Sequence, residues 1–435
     1  MQQIHLSGGI EFYSFRQTRF KQGALSIQFV RPMKKEEAAC NALLPAVLLR
    51  GTKRDPDLRS ITLRLDDLYG ASVSALVRRV GDYQTTGLYC SFMEDKFALD
   101  GDEILAPMLD FVGELLLEPV TEKGVFSENY VESEKKNLIS TIETEKNDKR
   151  VYASAQLMKI LCRNDSFGLP RLGEKEDVEK ITAQKLYDHY RKVLSESPVQ
   201  VFYVGSAEPA QVAKLLTKQF EKISRAPVML APQTALAGGD GGHVTEKMDV
   251  AQAKLCMGFV TPITNRTADF AAMQVMNTVF GGVMTSKLFM NVREKLSLCY
   301  SVGSAYYGSK GVLTVSAGID EGKEKIARDE IMAQLEACKN ADITEEELTA
   351  AKEAVLSALR TIHDSPGAIE GYFATAARSG QGMDPQAHGA AIAAGTGADV
   401  ARVARTLCYH SSYVLKKLGH RSCGVRGHSG GVSLQ

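Results

Sequence analysis

The order of strands and helices predicted for this chain occurs twice, and this repetition constrains the fold more than any other feature. Each copy begins with one strand, continues with two helices and two strands, and ends with two long helices. In the first copy we predict strands at 24–30, 71–80 and 85–92, and helices at about 35–50, 57–69, 102–118 and 124–147. In the second copy we predict strands at 253–260, 299–306 and 311–317, and helices at about 266–280, 284–295, 321–339 and 343–363. A repeated unit of this kind predicts an α+β protein with two similar domains.

The copies also share local sequence where their paired strands begin. The segment Leu68-Tyr-Gly-Ala-Ser-Val-Ser-Ala-Leu76 corresponds to Leu298-Cys-Tyr-Ser-Val-Gly-Ser-Ala-Tyr306. Between the copies, residues 226–242 contain two prolines and a Gly-Gly-Asp-Gly-Gly run, a composition typical of an exposed flexible linker. We therefore expect an N-terminal domain at 1–225, a linker at 226–242 and a C-terminal domain at 243–435.

Composition and charge argue against several classes of function. Lys and Arg together number 52, as do Asp and Glu, so no net charge favours nucleic acid or an anionic membrane as a partner. The start of the chain lacks the regions of a signal peptide, and no apolar run approaches the ~18 residues of a membrane helix. The eight cysteines form no C-x-x-C pair, which favours reduced, mostly buried thiols. We expect a cytoplasmic protein.

One short segment of the first copy, Ala42-Leu-Leu-Pro-Ala-Val-Leu-Leu-Arg-Gly-Thr52, carries a specific resemblance. It resembles the zinc-binding helix of the M16 (insulinase, or pitrilysin-like) peptidases, which has the form His-Phe-Leu-Glu-His-x-x-Phe-x-Gly-Thr. The segments Phe20-Lys-Gln-Gly23, Leu65-Asp-Asp-Leu-Tyr-Gly-Ala71 and Leu172-Gly173 also fit. The pattern is closest to the YmfF-like M16 homologues of Gram-positive bacteria. The resemblance implies two homologous α/β domains of the M16 metallopeptidase (LuxS/MPP-like) type, each an antiparallel-rich sheet covered by helices.

The zinc chemistry that this family performs is missing here. When the shared Gly-Thr pair is aligned, the two His positions fall on Ala42 and Ala46, and the catalytic Glu falls on Pro45. In the family's second motif, the supporting Glu falls on Glu134 and the remaining zinc ligand on Thr141. A catalytic zinc site needs imidazole and carboxylate ligands and a base that activates water. We therefore expect no metal and no cofactor in this chain, and we expect the zinc in a partner subunit.

The second copy retains a different part of the family's chemistry. The segment from Phe280 to Tyr300 closely matches the C-terminal motif, in which an Arg and a Tyr seven residues later help to hold the substrate peptide. Those positions fall on Arg293 and Tyr300. A guanidinium and a phenol hydroxyl both donate hydrogen bonds to carbonyls or a carboxylate. The alternative is a surface salt bridge between Arg293 and Glu294 beside a half-buried Tyr.

Three further features leave alternatives open. Gly281-Gly282 precede a predicted helix and form either a helix cap or a turn that brings the chain close to the substrate. Cys299 is a conceivable nucleophile, but a buried strand cysteine is the favoured interpretation. The tail from His420 to His428 contains a His/Cys cluster that matches no zinc module, so a disordered tail is favoured over a metal site.

The resemblance therefore implies a non-catalytic, substrate-binding subunit of a heterodimeric M16B zinc endopeptidase that processes peptides. The partners would be a catalytic M16 subunit with an intact His-x-x-Glu-His motif and an extended peptide, with no nucleic acid and no membrane involved. The alternative is a structural scaffold without peptide binding, similar to the core subunits of respiratory complexes. A third option is an enzyme of another class that uses Cys299 or a His. A heterodimer and a homodimer both remain open at this point.

Overall fold

The computed structural model describes residues 1–236, 238, 241–382 and 384–418. The strands are β1 (Gln2–Leu6), β2 (Ile10–Arg16), β3 (Gln22–Pro32), β4 (Ser72–Val80), β5 (Tyr83–Met93), β6 (Thr121–Glu122), β7 (Val125–Phe126), β8 (Val199–Gly205), β9 (Gly242–Met248), β10 (Ala253–Val260), β11 (Cys299–Tyr307), β12 (Val312–Ile319) and β13 (Cys408–Lys417).

The helices of the first half are α1 (Lys35–Leu48), α2 (Leu58–Asp67), α3 (Leu105–Leu117), α4 (Glu128–Asn147), α5 (Lys149–Leu161), α6 (Lys175–Glu179), α7 (Ala183–Glu196) and α8 (Pro209–Phe220). Those of the second half are α9 (Phe270–Asn277), α10 (Glu324–Lys339), α11 (Glu345–Thr361), α12 (Pro366–Ser379), α13 (Pro385–Ala394) and α14 (Gly397–Ala404). Two π-helices, π1 (Thr278–Gly282) and π2 (Leu288–Lys295), follow α9. Short 3₁₀ turns lie at Asp95–Phe97, Ser166–Gly168 and Ile362–Asp364.

Each half is built on one mixed sheet that is mostly antiparallel. The first sheet has the order β1-β2-β8-β3-β5-β4, and the second has the order β11-β12-β10-β13-β9. Among the described strands, each sheet has one parallel pair, β2 with β8 and β9 with β13. Strands β8 and β13 are the last strands of their halves. The predicted α+β class with antiparallel-rich sheets is confirmed.

The two sheets have the same topology when they are read from opposite ends. Strands β2, β8, β3, β5 and β4 correspond in order to β9, β13, β10, β12 and β11. The repeated order of elements predicted from the sequence therefore corresponds to a repeated sheet. The sequence-based prediction lacked several elements, namely strands β1, β2, β6, β7, β8, β9 and β13 and helices α5, α6, α7, α8, α12, α13 and α14.

Helices of the same half cover one face of each sheet, and a helix of the other half packs on the opposite face. Helix α12 of the second half packs on the first sheet, where Ile369, Phe373 and Ala374 meet Phe15 and other buried strand residues. Helix α5 of the first half packs on the second sheet through Ala153 and Leu157. Because strand side chains alternate between faces, each sheet buries residues on both faces and depends on both halves for that burial.

Buried ion pairs join the two halves beside these helices. Glu370 on α12 is fully buried, accepts hydrogen bonds from Ser26 and Gln28, and forms a two-pronged pair with Arg78 at 2.8 Å for each contact. The β11–β12 turn carries Lys310, whose buried ammonium contacts carboxylates of the first half. A buried charge is tolerated when it is paired and hydrogen-bonded, so these contacts fix the halves against each other.

The ion pair of Lys310 lies where two hairpin tips meet. Its Nζ contacts Asp82 Oδ1 and Asp165 Oδ2, each at 2.8 Å. Asp82 lies in the β4–β5 turn, which corresponds in the duplicated fold to the β11–β12 turn that carries Lys310. Equivalent turns of the two halves therefore contact each other directly.

The segment between the halves is not the free hinge that its Pro and Gly content suggests. The Thr234 amide donates to Asp82 Oδ2 at 3.3 Å, and the Leu236 amide donates to the Lys310 carbonyl at 2.8 Å. The Gln233 side chain donates to the Arg378 carbonyl at 2.6 Å. This part of the linker is therefore held along the junction, with hydrogen bonds to both halves.

Candidate functional site

Helix α1 carries the three positions that would hold zinc and activate water in an M16 enzyme. Ala42 and Pro45 are buried, Ala46 is half-buried, and the helix runs without interruption from Lys35 to Leu48. The helix predicted at about 35–50 therefore continues through Pro45. Two alanines and a proline offer no metal ligand and no base, so this helix does not fit a zinc ion.

The helix tolerates Pro45 because another residue replaces the lost hydrogen bond. Proline has no amide hydrogen to donate to the carbonyl four residues earlier, which here belongs to Asn41. The Thr86 hydroxyl on β5 donates to that carbonyl at 2.7 Å. Thr86 and Asn41 are both buried, so without this contact the carbonyl would be left unpaired in the core.

A buried polar network continues from Asn41. Its side-chain amide donates to Gln84 Oε1 at 2.9 Å, and its Oδ1 lies 2.7 Å from His189 Nε2. Burial lowers the pKa of His189 to about 4, so the ring is neutral at pH 7 and its Nε2 donates to Asn41. Our sequence reasoning missed His189, because no spacing rule links it to a residue 148 positions away.

Helix α4, which packs beside α1, has also lost its ligand position. Thr141 is exposed, and its hydroxyl donates to the carbonyl of Asn137 at 3.0 Å. Glu134 forms an ion pair with Arg50. Within residues 1–236, 238, 241–382 and 384–418, no group of three or more His, Cys, Asp or Glu residues is placed to hold a metal ion.

Arg293 and Tyr300 lie where π2 ends and the edge strand β11 begins. Arg293 lies in the last turn of π2, its guanidinium 4.4 Å from the centre of the Phe289 ring and 3.5 Å from Glu294 Oε1. Its side chain is 35% exposed. Tyr300 is 78% exposed at the start of β11. The Arg293–Glu294 salt bridge of the alternative interpretation is present, but Tyr300 is exposed and not half-buried.

The backbone around Tyr300 directs this side chain away from the sheet. The β11–β12 pairing matches Cys299 with Ile319 and Ser301 with Gly318, and the irregularity between them leaves Tyr300 unpaired. A bulge of this kind re-aims a side chain at the end of a strand. Strand β11 is an edge strand of its sheet, so its outer backbone groups are available to an added strand.

Gly281 and Gly282 lie inside the helical turn π1 and do not form a loop. Gly281 is buried, and a Cβ there would lie 2.7 Å from Ser304 Oγ and 2.9 Å from the Ser304 amide nitrogen. Glycine is therefore required for close packing of π1 on β11. Gly282 is exposed, and a Cβ there would lie 3.3 Å from the Asn277 carbonyl oxygen, a closer approach than ordinary van der Waals contact. The geometry favours a packing role for Gly281.

The structure argues against a cysteine nucleophile at this corner. Cys299 is 7% exposed, and burial raises the pKa of its thiol to about 11. A thiol that is protonated at neutral pH is a weak nucleophile. The predicted His/Cys cluster between His420 and His428 lies outside the described residues.

Comparisons with known proteins identify the family. The chain is 33% identical over 371 residues to the probable inactive metalloprotease YmfF of Bacillus subtilis, covering 85% of this chain and 87% of that protein. The chain belongs to the M16 peptidase family. Residues 180–355 match the family model described as the peptidase M16 inactive domain. The resemblance to YmfF-like M16 homologues is therefore confirmed.

Solved structures agree with this assignment. A conserved protein from Enterococcus faecalis V583 is similar with a TM-score of 0.90 and 26% identity over 96% of this chain and 98% of that one. A chain of complex III2 from Candida albicans is similar with a TM-score of 0.72 and 14% identity over 96% of this chain and 95% of that one; this second likeness concerns the fold alone. In the part of the M16 homologue that the structure describes, no helix is long and apolar enough to cross a membrane.

Proposed function

We propose that this M16 homologue is the non-catalytic, substrate-binding subunit of a two-chain zinc endopeptidase. One observation carries the proposal: Tyr300 is exposed at the start of the edge strand β11, and Arg293 is partly exposed at the end of π2, the helix that precedes this strand. The residues at the zinc positions of α1 and α4 supply no ligand set. A chain that presents donors for a peptide, and whose described residues form no metal site, is suited to hold a substrate for another subunit.

The proposed role follows from the geometry of β11. An extended peptide would add to the open edge of the strand through main-chain hydrogen bonds. The Tyr300 hydroxyl has no partner among the described residues, so it is free to donate to a peptide carbonyl. The Arg293 guanidinium, held over Phe289, would supply charge-assisted hydrogen bonds to the same peptide. A partner with an intact His-x-x-Glu-His helix would supply the zinc and the water-activating base, and the pair would act in the cytoplasm.

The test uses purified subunits and a quenched fluorescent peptide. This chain alone is expected to show no cleavage, and activity is expected when the M16 subunit with the His-x-x-Glu-His motif is added. Arg293→Ala should lower kcat/KM by about tenfold or more, because a hydrogen bond to a charged group contributes about 1.5–3 kcal/mol. Arg360→Ala is the matched control, since Arg360 is exposed on α11 and pairs only with Glu353 in the described structure. Full activity of the Arg293→Ala, Tyr300→Phe double variant would refute the assigned role.

A scaffold role is the second candidate, and one observation favours it. Arg293 already has two internal partners, Phe289 and Glu294, so a peptide is not required to explain its position. The likeness to the complex III chain adds only that such a fold occurs in a respiratory assembly. Binding of a non-cleavable peptide to the purified pair separates the candidates. A scaffold predicts a stable pair with no peptide binding.

A further inference from the structure

A cavity of about 530 Å³ lies between the two halves, at the end of β11 that is distant from Tyr300. Its wall includes the last residues of both edge strands, β4 and β11, together with residues of α9, α11 and α12. Tyr306, which lines this wall, lies six positions after Tyr300, about 20 Å along a strand. The volume lies in the ~300–1,000 Å³ range of small-molecule sites, and the cavity is separate from the peptide edge proposed above.

The charge of the cavity wall is positive and not compensated within the wall. Arg78 and Arg79 both line the cavity, and no Asp or Glu stands among its described lining residues. Arg78 is neutralised by Glu370 behind it. Arg79 forms no ion pair with any described residue. Its Nη1 donates to the carbonyls of Phe167 and Leu169 at 2.7 Å each.

The remaining nitrogens of Arg79 have no acceptor within the described part of the chain. A guanidinium has five N–H donors, and only Nη1 of Arg79 is used. Burial lowers the pKa of Arg79, which is the signature of a cation withdrawn from water without a counter-charge. Arg79 is half-buried, and its partners are the two carbonyls and the Phe167 ring, whose centre lies 4.4 Å from the guanidinium carbon. None of these carries a negative charge, so an anion in the cavity would supply the missing counter-charge.

Polar and aromatic side chains complete the wall. The Asn265 side chain makes no hydrogen bond in the described structure, and its buried Oδ1 lies without a partner. Two aromatic pairs flank it, Phe270 with Tyr306 at 6.3 Å and Phe167 with Tyr307 at 5.8 Å between ring centres. The wall therefore offers a cation, an amide and aromatic ring surfaces, with the Phe167 ring lying 4.4 Å from the Arg79 guanidinium carbon.

We propose that this cavity binds a small carboxylate joined to an aromatic or aliphatic body. The Arg79 guanidinium would pair with the carboxylate, because its planar fork matches that group. Asn265 would complete the polar contacts, and the rings would cover the body of the ligand. The same chemistry is presented by a free organic acid and by the C-terminal residue of a peptide.

Isothermal titration of the full chain distinguishes these two sources. The probes are 3-phenylpropanoate and N-acetyl-alanyl-phenylalanine, each compared with its own carboxamide. We expect at least one acid to bind about tenfold or more tightly than its amide, a difference of about 1.4 kcal/mol. Preference for 3-phenylpropanoate assigns a small acid as the ligand, and preference for the acyl dipeptide assigns a peptide C-terminus.

Two variants locate the binding in the cavity by independent means. Asn265→Asp adds a negative charge beside the carboxylate and should weaken binding of the acid about tenfold or more while leaving the amide nearly unchanged. Thr375→Trp, on the exposed rim of the cavity, should block both ligands by bulk. Asn164→Asp makes the same charge change at an exposed position and should have no effect. Thermal melting confirms that each variant is folded.

Three results would overturn the proposal. They are no saturable binding of either acid below about 10 mM, equal affinity for an acid and its amide, and unchanged affinity in both Asn265→Asp and Thr375→Trp. A dissociation constant near 10 mM corresponds to only about 3 kcal/mol of binding free energy, which is too little for a paired buried charge.

Discussion

Pro45 occupies the position of the catalytic base, and the way the helix accommodates it makes a quantitative prediction. The Asn41 carbonyl receives its hydrogen bond from Thr86 in place of the amide that Pro45 lacks. Thr86→Val removes that donor without changing the size of the side chain. Pro45→Ala restores the amide. The two substitutions are therefore expected to be coupled.

The expected magnitudes follow from the burial of this contact. Thr86 is 1% exposed and Asn41 is fully buried, so Thr86→Val leaves a carbonyl unpaired and should cost about 1–3 kcal/mol. Pro45→Ala should stabilise the helix by less than the ~3 kcal/mol that an interior proline costs, because Thr86 already supplies the missing donor. With Ala at position 45, the carbonyl has its helical partner. Thr86→Val should then cost about 1 kcal/mol less than it does beside proline.

The assay is urea unfolding of the four proteins of this cycle. The chain has 15 Tyr and no Trp, so far-UV circular dichroism and tyrosine fluorescence are suitable probes. Coincident transitions by the two probes are required before free energies are compared. An equal cost of Thr86→Val in both backgrounds would show that Thr86 does not substitute for the missing amide.

Three other residues give independent predictions. Burial lowers the pKa of His189 to about 4 in the native state, whereas the unfolded state takes up the proton near pH 6.5. The free energy of unfolding should therefore fall by about 3 kcal/mol as the pH falls through this window. A His189→Gln variant that kept the same pH dependence would contradict this cause. Glu370→Ala leaves Arg78 unpaired and should destabilise the chain by about 3–5 kcal/mol, and an Arg78→Met, Glu370→Met double variant in urea unfolding should recover most of that loss. Mass spectrometry after brief iodoacetamide treatment should find Cys299 unlabelled and exposed Cys408 labelled; the reverse order would exclude burial as the control of reactivity.

The elements that the sequence predicts best are those whose pattern is local. The strand predicted at 253–260 has the observed bounds, and helices α1, α2 and α3 end within a few residues of their predicted limits. Strand β9 was missed because most of its residues are exposed, so it lacks the apolar alternation of a buried strand. Helices α5 and α12 were also missed, although each buries residues at helical spacing: Ala153, Leu157 and Leu161 in α5, and Ile369 and Phe373 in α12. The sequence pattern does not show that these faces pack on the sheet of the other half.

The candidate site shows the same division. The motif fixed Arg293 and Tyr300 as a pair at a helix end and a strand start, and the structure has both there. The contact of Arg293 with Phe289 and the bulge that turns Tyr300 outward depend on side-chain packing and strand register. The polar network around Asn41 joins residues far apart in the chain. No spacing rule could have found it.

The exchange of α5 and α12 has a consequence for how such a chain arose and how it can be divided. In a symmetric dimer formed by domain swapping, each subunit lends one element to the other. Here the two halves that exchange helices belong to one polypeptide, so the surface between them is internal and resembles the interface of such a dimer. Cutting the linker would leave two fragments, and each would still carry the helix that covers the other fragment's sheet. We therefore expect neither fragment to fold fully alone, and we expect fragments made together to reassemble by returning α5 and α12 to their places.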